Sequence, residues 1–97
     1  MIKHIVMWKF HEGADKAGNL RKAKALLDAL PAKIPAIRGF EVGMDILHSA
    51  ASYDLVLNST FDSEETLVAY QSHPEHVKVV EFLRSVQSGK VVVDYVV

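Results

Sequence analysis

The chain has no cysteine among its 97 residues. That absence excludes disulfides, thiol nucleophiles and Cys-ligated zinc, and it suits a reducing compartment. Proline and glycine are also sparse, at 3 and 5 residues, and nothing reads as a linker, a repeat or a low-complexity tract. The expectation is one domain spanning residues 1–97. Neither sign of charge dominates: 11 Lys and Arg face 12 Asp and Glu, and the cations form no patch. Strong binding to a phosphate backbone is excluded, and no nucleic-acid partner is expected. No stretch reaches the roughly 18 uncharged apolar residues of a membrane span. The apolar start is broken by Lys3, His4 and Lys9, unlike a signal peptide. These features describe a soluble, cytoplasmic domain without a membrane partner.

Apolar residues, by contrast, are plentiful, at 49% of the chain. A domain this small buries little more than about 60% of its unfolded surface, and this much apolar material hints at a partner chain. Ile2–Phe10 alternates as a strand, with Ile2, His4, Val6, Trp8 and Phe10 on one face. After the loop "HEGADKAGN", with Asp15 or Asn19 as possible caps, Leu20, Ala23, Leu27, Leu30 and Ile34 recur at helical spacing. Pro31 and Pro35 kink or stop that helix. Phe40–Leu47 and Tyr53–Phe61 read as strands of a hairpin turning at "HSAAS". Asp62 or Ser63 caps a short helix, with Glu64 and Glu65 in its first turn. Pro74 suits the first position of a further helix ending near Ser85, and "KVVVDYVV" closes the chain as a strand. The order β-α-β-β-α-α-β defines an α+β, ferredoxin-like fold with a four-stranded antiparallel sheet.

Helices cover one face of such a sheet. The strands here are apolar on both: Ile5 and Met7 oppose Val6 and Trp8, while Val92 and Val96 oppose Val91 and Val93. Asp54, Asn58 and Asp94 are expected to interrupt the open face, with Ile5 and Val92 near its centre. A second copy packed sheet to sheet would bury that surface, giving a homodimer.

The stretch "YQSHPEHVKVVEFLRSV", residues 70–86, raises the question of chemistry. His76 shares a helix stripe with Val79, Val80 and Leu83; Tyr70 follows Leu67 inward; His4 shares a strand face with Trp8. A buried imidazole or phenol without a partner costs about 1–3 kcal/mol. Either His76 and Tyr70 bond each other or the backbone and stitch the helix break to the sheet, or they line a cavity as base and acid. His73, ahead of Pro74, belongs at the cap and should be the more exposed histidine of the motif. The HxxH spacing raises metal binding, but no third ligand is specified, and no metal is expected. Met7, Met44 and Trp8 read first as core residues. No flavin, nicotinamide, haem or phosphate-loop pattern occurs, so no cofactor is expected. The candidate set is His76 and Tyr70 for catalysis, with His4, His73 and Trp8 for ligand binding.

"KHIVMWKF", "IPAIRGFEVGMD", "YDLVLNSTFDSEETLVAYQSHPEHVKVVEFLR" and "VVVDYVV" together resemble the stress-responsive A/B barrel (Dabb) family over nearly the whole chain. The resemblance implies a dimeric α+β barrel, in agreement with the sheet argument. It embraces plant stress-linked proteins, bacterial proteins without a known reaction, and plant cyclases that close polyketides without a cofactor. In those cyclases the second histidine of HPxH and the tyrosine six residues earlier form an acid–base pair, which implies that role for His76 and Tyr70, with His4 beside the same pocket. The expected function is a small dimeric domain with a pocket for a small organic molecule. The alternative is a cofactor-independent enzyme of the cyclase type. Other dimeric α+β barrels, such as cofactor-free monooxygenases, share topology without these motifs.

Overall fold

The computed structural model describes Met1–Val97. Its elements run β1 (Ile2–Phe10), α1 (Lys16–Asp28), a 3₁₀ turn (Leu30–Ala32), β2 (Gly39–Met44), β3 (Leu55–Phe61), α2 (Glu64–Ser72), α3 (Pro74–Val86) and β4 (Gln87–Val96). The antiparallel sheet has the order β2-β3-β1-β4, with β1 central. This is the ferredoxin-like fold that the periodicity predicts.

The boundaries shift for local reasons. α1 begins at Lys16, so Asn19 lies within it, and Asp15 holds the cap position without a side-chain cap bond. Pro31 ends the α-helical path as expected, and the chain tightens into the 3₁₀ turn. β2 stops at Met44 because Asp45 turns the chain: its Oδ2 accepts from the His48 N–H at 2.7 Å, and His48 has a φ of 52°. Ile46 and Leu47 therefore sit in an exposed loop rather than in a strand. Ser63, not Asp62, caps α2, accepting from Thr66 N–H while Thr66 Oγ1 accepts from Ser63 N–H. α2 extends through Gln71 and Ser72, up to the residue before His73. β4 starts at Gln87, directly after α3, so Gly89 is a strand residue.

The helix-facing side of the sheet follows the alternation. Val6, Trp8, Phe10, Leu55, Leu57 and Phe61 are buried there against Ala23 and Leu27 of α1, Leu67 and Tyr70 of α2, and Val79 and Leu83 of α3. Burying each such large side chain contributes about 1.5–3 kcal/mol before entropy is charged.

Register corrects three assignments of face. Val92 pairs with Val6 and Asp94 with His4, so both belong to the helix-facing side. Asp54 lies at the sheet's end, where its Oδ2 accepts from the Phe10 N–H at 2.8 Å and its Oδ1 lies 3.2 Å from Lys16 Nζ. Of the three polar residues, only Asn58 shares the open face with Ile5 and Met7. On β4 that face carries Val91, Val93 and Tyr95, which pair with Met7, Ile5 and Lys3 and are all exposed. Met7 and Met44 are likewise exposed; of the three expected core residues, only Trp8 is buried.

Candidate functional site

Two helices meet at His73. Its extended backbone ends α2 and starts α3, and its Nδ1 accepts from the Glu75 N–H at 3.1 Å. Pro74 follows at the first helical position, where its fixed φ suits the helix and its missing N–H costs nothing. His73 is thus a capping residue, half-buried, and it does not line the cavity beneath α3. Its expected place in a ligand site is not where the fold puts it.

Starting α3 at Pro74 sets His76 facing back toward the end of α2. The last carbonyls of a helix have no intrahelical partner, and the His76 Nδ1–H donates to one of them, Gln71 O, at 3.0 Å. That bond assigns the imidazole proton to Nδ1 and leaves Nε2 with a lone pair and no protein partner. Burial lowers the His76 pKa; the bond to Gln71 opposes this, while the nearby charges of Lys90, His4 and His73 add to the lowering. The ring is neutral at pH 7.

Tyr70 is fully buried. Its ring lies 4.3 Å from His76 and 4.9 Å from Phe61 by centroids, with Phe40 and His4 at 6.0 and 6.3 Å. Its hydroxyl has no hydrogen-bond partner. Burial pushes the phenol pKa far up, so it stays a donor. The two residues do not bond each other, although the sequence leaves that arrangement open.

Trp8 Nε1 is the other buried polar side-chain atom without a partner. Trp8, Tyr70, His76 and His4 all line one cavity of about 270 Å³ between the sheet and α3. His4 is buried, and its Nδ1 donates to Asp94 Oδ1 at 2.5 Å. The cavity's apolar wall includes Val6, Leu27, Leu57, Val80, Leu83 and Val92. Sequence reasoning missed Gln71, Arg84, Gln87 and Lys90, which complete the lining. Arg84 could have been found, since it falls eight residues after His76 on the same side of α3. Gln87 and Lys90 depend on how β4 leaves α3 and pairs with β1, which no local pattern fixes. No three His, Cys, Asp or Glu side chains converge as a metal-binding group. No helix is long and apolar enough to cross a membrane.

A ferredoxin-like sheet carrying a His–Tyr cavity beneath α3 is one particular kind of α+β domain. The stress responsive A/B barrel domain model matches residues 2–97, and the chain belongs to that family. It is 32% identical over 84 residues to a stress-response A/B barrel domain-containing protein of Arabidopsis thaliana, covering 84% of this chain and 30% of that protein. It therefore spans under a third of that relative's length. It is 27% identical over 96 residues to olivetolic acid cyclase of Cannabis sativa, covering 97% of this chain and 94% of the cyclase. Among solved structures, a dimeric protein of unknown function with a ferredoxin-like fold from Bacteroides fragilis superimposes with a TM-score of 0.88. The two are 33% identical, over 97% of this chain and 93% of that one.

Proposed function

We propose that this protein is a homodimeric small-molecule-binding domain, whose ligand occupies the cavity walled by His76, Tyr70, His4 and Trp8. The observation that carries this reading is the concentration of unsatisfied polar valences in one place. The Tyr70 hydroxyl and Trp8 Nε1 are the two buried side-chain polar atoms without partners, and both residues line the same cavity. A buried donor without an acceptor costs about 1–3 kcal/mol, a cost that an oxygenated ligand would recover. The homodimer is supported by the exposed apolar face of Met7, Val91, Val93 and Tyr95 and by the dimeric Bacteroides neighbour.

A second reading, cofactor-independent catalysis, is favoured by the state of His76. A neutral imidazole with Nδ1–H tied to Gln71 O presents Nε2 as a proton acceptor. Tyr70, held protonated, would donate to the oxyanion formed when a C–H beside a carbonyl is deprotonated. Similarity to olivetolic acid cyclase over nearly the full length of both chains agrees with this chemistry.

One experiment separates the two. 4-Hydroxyacetophenone is incubated with the protein in D₂O, and both its binding and its methyl deuteration are followed by NMR. A binding domain takes up the ketone without speeding exchange. A catalyst speeds exchange by about 10²–10⁴-fold and loses that effect in His76→Gln. Failure of this ketone and of 4-hydroxybenzoate to perturb any cavity residue would overturn both readings.

A further inference from the structure

Charge is distributed unevenly around this cavity. Arg84 and Lys90 stand in its lining, and no Asp or Glu does. Asp94, beside the lining residue His4, is engaged by His4 Nδ1. Some cations elsewhere on the surface are matched, Lys24 with Asp28, Arg38 with Asp62, and Lys78 with Glu75, while others lie outside this cavity's lining. Arg84 and Lys90 form no ion pair with any Asp or Glu of the chain. Arg84 also lies in the last turn of α3, where it complements the helix dipole. Lys90 has no such duty, being on β4 opposite Trp8 in the register. Its charge reaches the His76 imidazole, whose protonation it disfavours.

Resting on the reading of this cavity as a ligand site, we propose that it selects a small organic anion, a carboxylate or enolate carried on a flat apolar body. Arg84 and Lys90 balance the anion's charge at the cavity's polar side, while Trp8 Nε1–H and Tyr70 O–H supply donors to its oxygens. These four groups are all donors, and no carboxylate lines the cavity beside them. Val6, Leu27, Leu57 and Val92 pack the apolar body. At about 270 Å³ the cavity lies just below the span of roughly 300–1,000 Å³ that holds drug-sized ligands, so it suits a single ring with short substituents.

The test uses two matched pairs, 4-hydroxybenzoate with 4-hydroxybenzamide, and benzoate with benzamide. Each is titrated into the full chain and into R84Q, K90Q and the double variant. Arg84 and Lys90 are exposed, and the melting curves of the variants confirm that folding is kept. Each acid should bind at least about tenfold more tightly than its amide at low salt, and added salt should narrow that gap. The double variant should bring acid and amide to within about twofold, with the acid losing far more affinity than the amide. Amides that bind as well as the acids, while still shifting cavity resonances, would overturn the anion proposal and leave the cavity as a site for neutral ligands. An acid preference that survives in the double variant would also overturn it. Absence of binding by all four compounds, and by 4-hydroxyacetophenone, would overturn the site itself.

Discussion

Tyr70 and His76 lie with ring centroids 4.3 Å apart, tilted by 44°, yet share no hydrogen bond. His76 is satisfied by the end of α2, and the Tyr70 hydroxyl by nothing in the chain. The contact is a packing contact that leaves two reactive valences open. Removing the hydroxyl should therefore cost the empty protein nothing. Tyr70→Phe is expected to unfold in urea at the same free energy as the parent, or up to about 1 kcal/mol higher, because an unpaired buried polar group is deleted. Its binding of 4-hydroxybenzoate should nonetheless weaken. A loss of stability above about 1 kcal/mol would show that the hydroxyl has a structural partner.

His76 should give the protein a specific pH dependence. Its folded pKa lies below the ordinary 6.5, so as pH falls the unfolded chain takes up the proton first. Stability is then complete above about pH 6.5, falls as pH drops from there to the folded pKa, and levels out below it. One proton limits the slope to about 1.4 kcal/mol per pH unit. Subtracting urea curves of His76→Gln from those of the parent across about pH 4 to 8 should isolate this segment. A difference that instead falls as pH rises from about 4 to 6.5 would contradict the neutral assignment.

Much of this was legible in the sequence because it is periodic. The alternation of β1 and the stripe Val79, Val80, Leu83 place His4, Trp8 and His76 on the cavity side. The SHPEH stretch gives the helix break from proline's own geometry. What sequence could not supply is register. His4 meets Asp94 only because β4 pairs with β1 at that offset, and a one-residue error sends a side chain to the other face. The misplacing of Val92 and Asp94 is an error of that kind. The end of β2 was lost for a different reason: Ile46 and Leu47 continue an apolar run, but the Asp45 side chain closes a turn on His48.

Asp54 anchors the end of the sheet through two contacts, the Phe10 N–H and Lys16. Asp54→Ala should destabilise by about 1–3 kcal/mol, since it leaves a buried N–H unpaired. Asp54→Asn keeps an acceptor and should lose less than half as much. Equal losses in the two variants, measured by urea denaturation, would show that the charge and not the acceptor matters.

On the open face, Val93 pairs with Ile5 and is exposed within one chain. In the proposed dimer, Val93→Asp places an unpaired charge in an apolar interface, at a cost of several kcal/mol. Sedimentation at micromolar concentration should show the parent as a dimer and the variant as monomer or unfolded chain. A monomeric parent would contradict the sheet-to-sheet assembly.

Trp8 is the single tryptophan of the chain, so its Nε1–H gives one identifiable indole resonance in a ¹⁵N-resolved NMR spectrum. That proton is without an acceptor in the chain, in the wall shared with Tyr70 and His76. Titrating 4-hydroxybenzoate while watching that one signal tests the ligand site most directly. The expected result is a saturable downfield shift as the indole finds an acceptor, accompanied by shifts at Tyr70, Gln71 and Lys90 and reduced in Tyr70→Phe. An indole signal that stays fixed while residues on the open face of the sheet move would contradict the assignment of this cavity as the binding site.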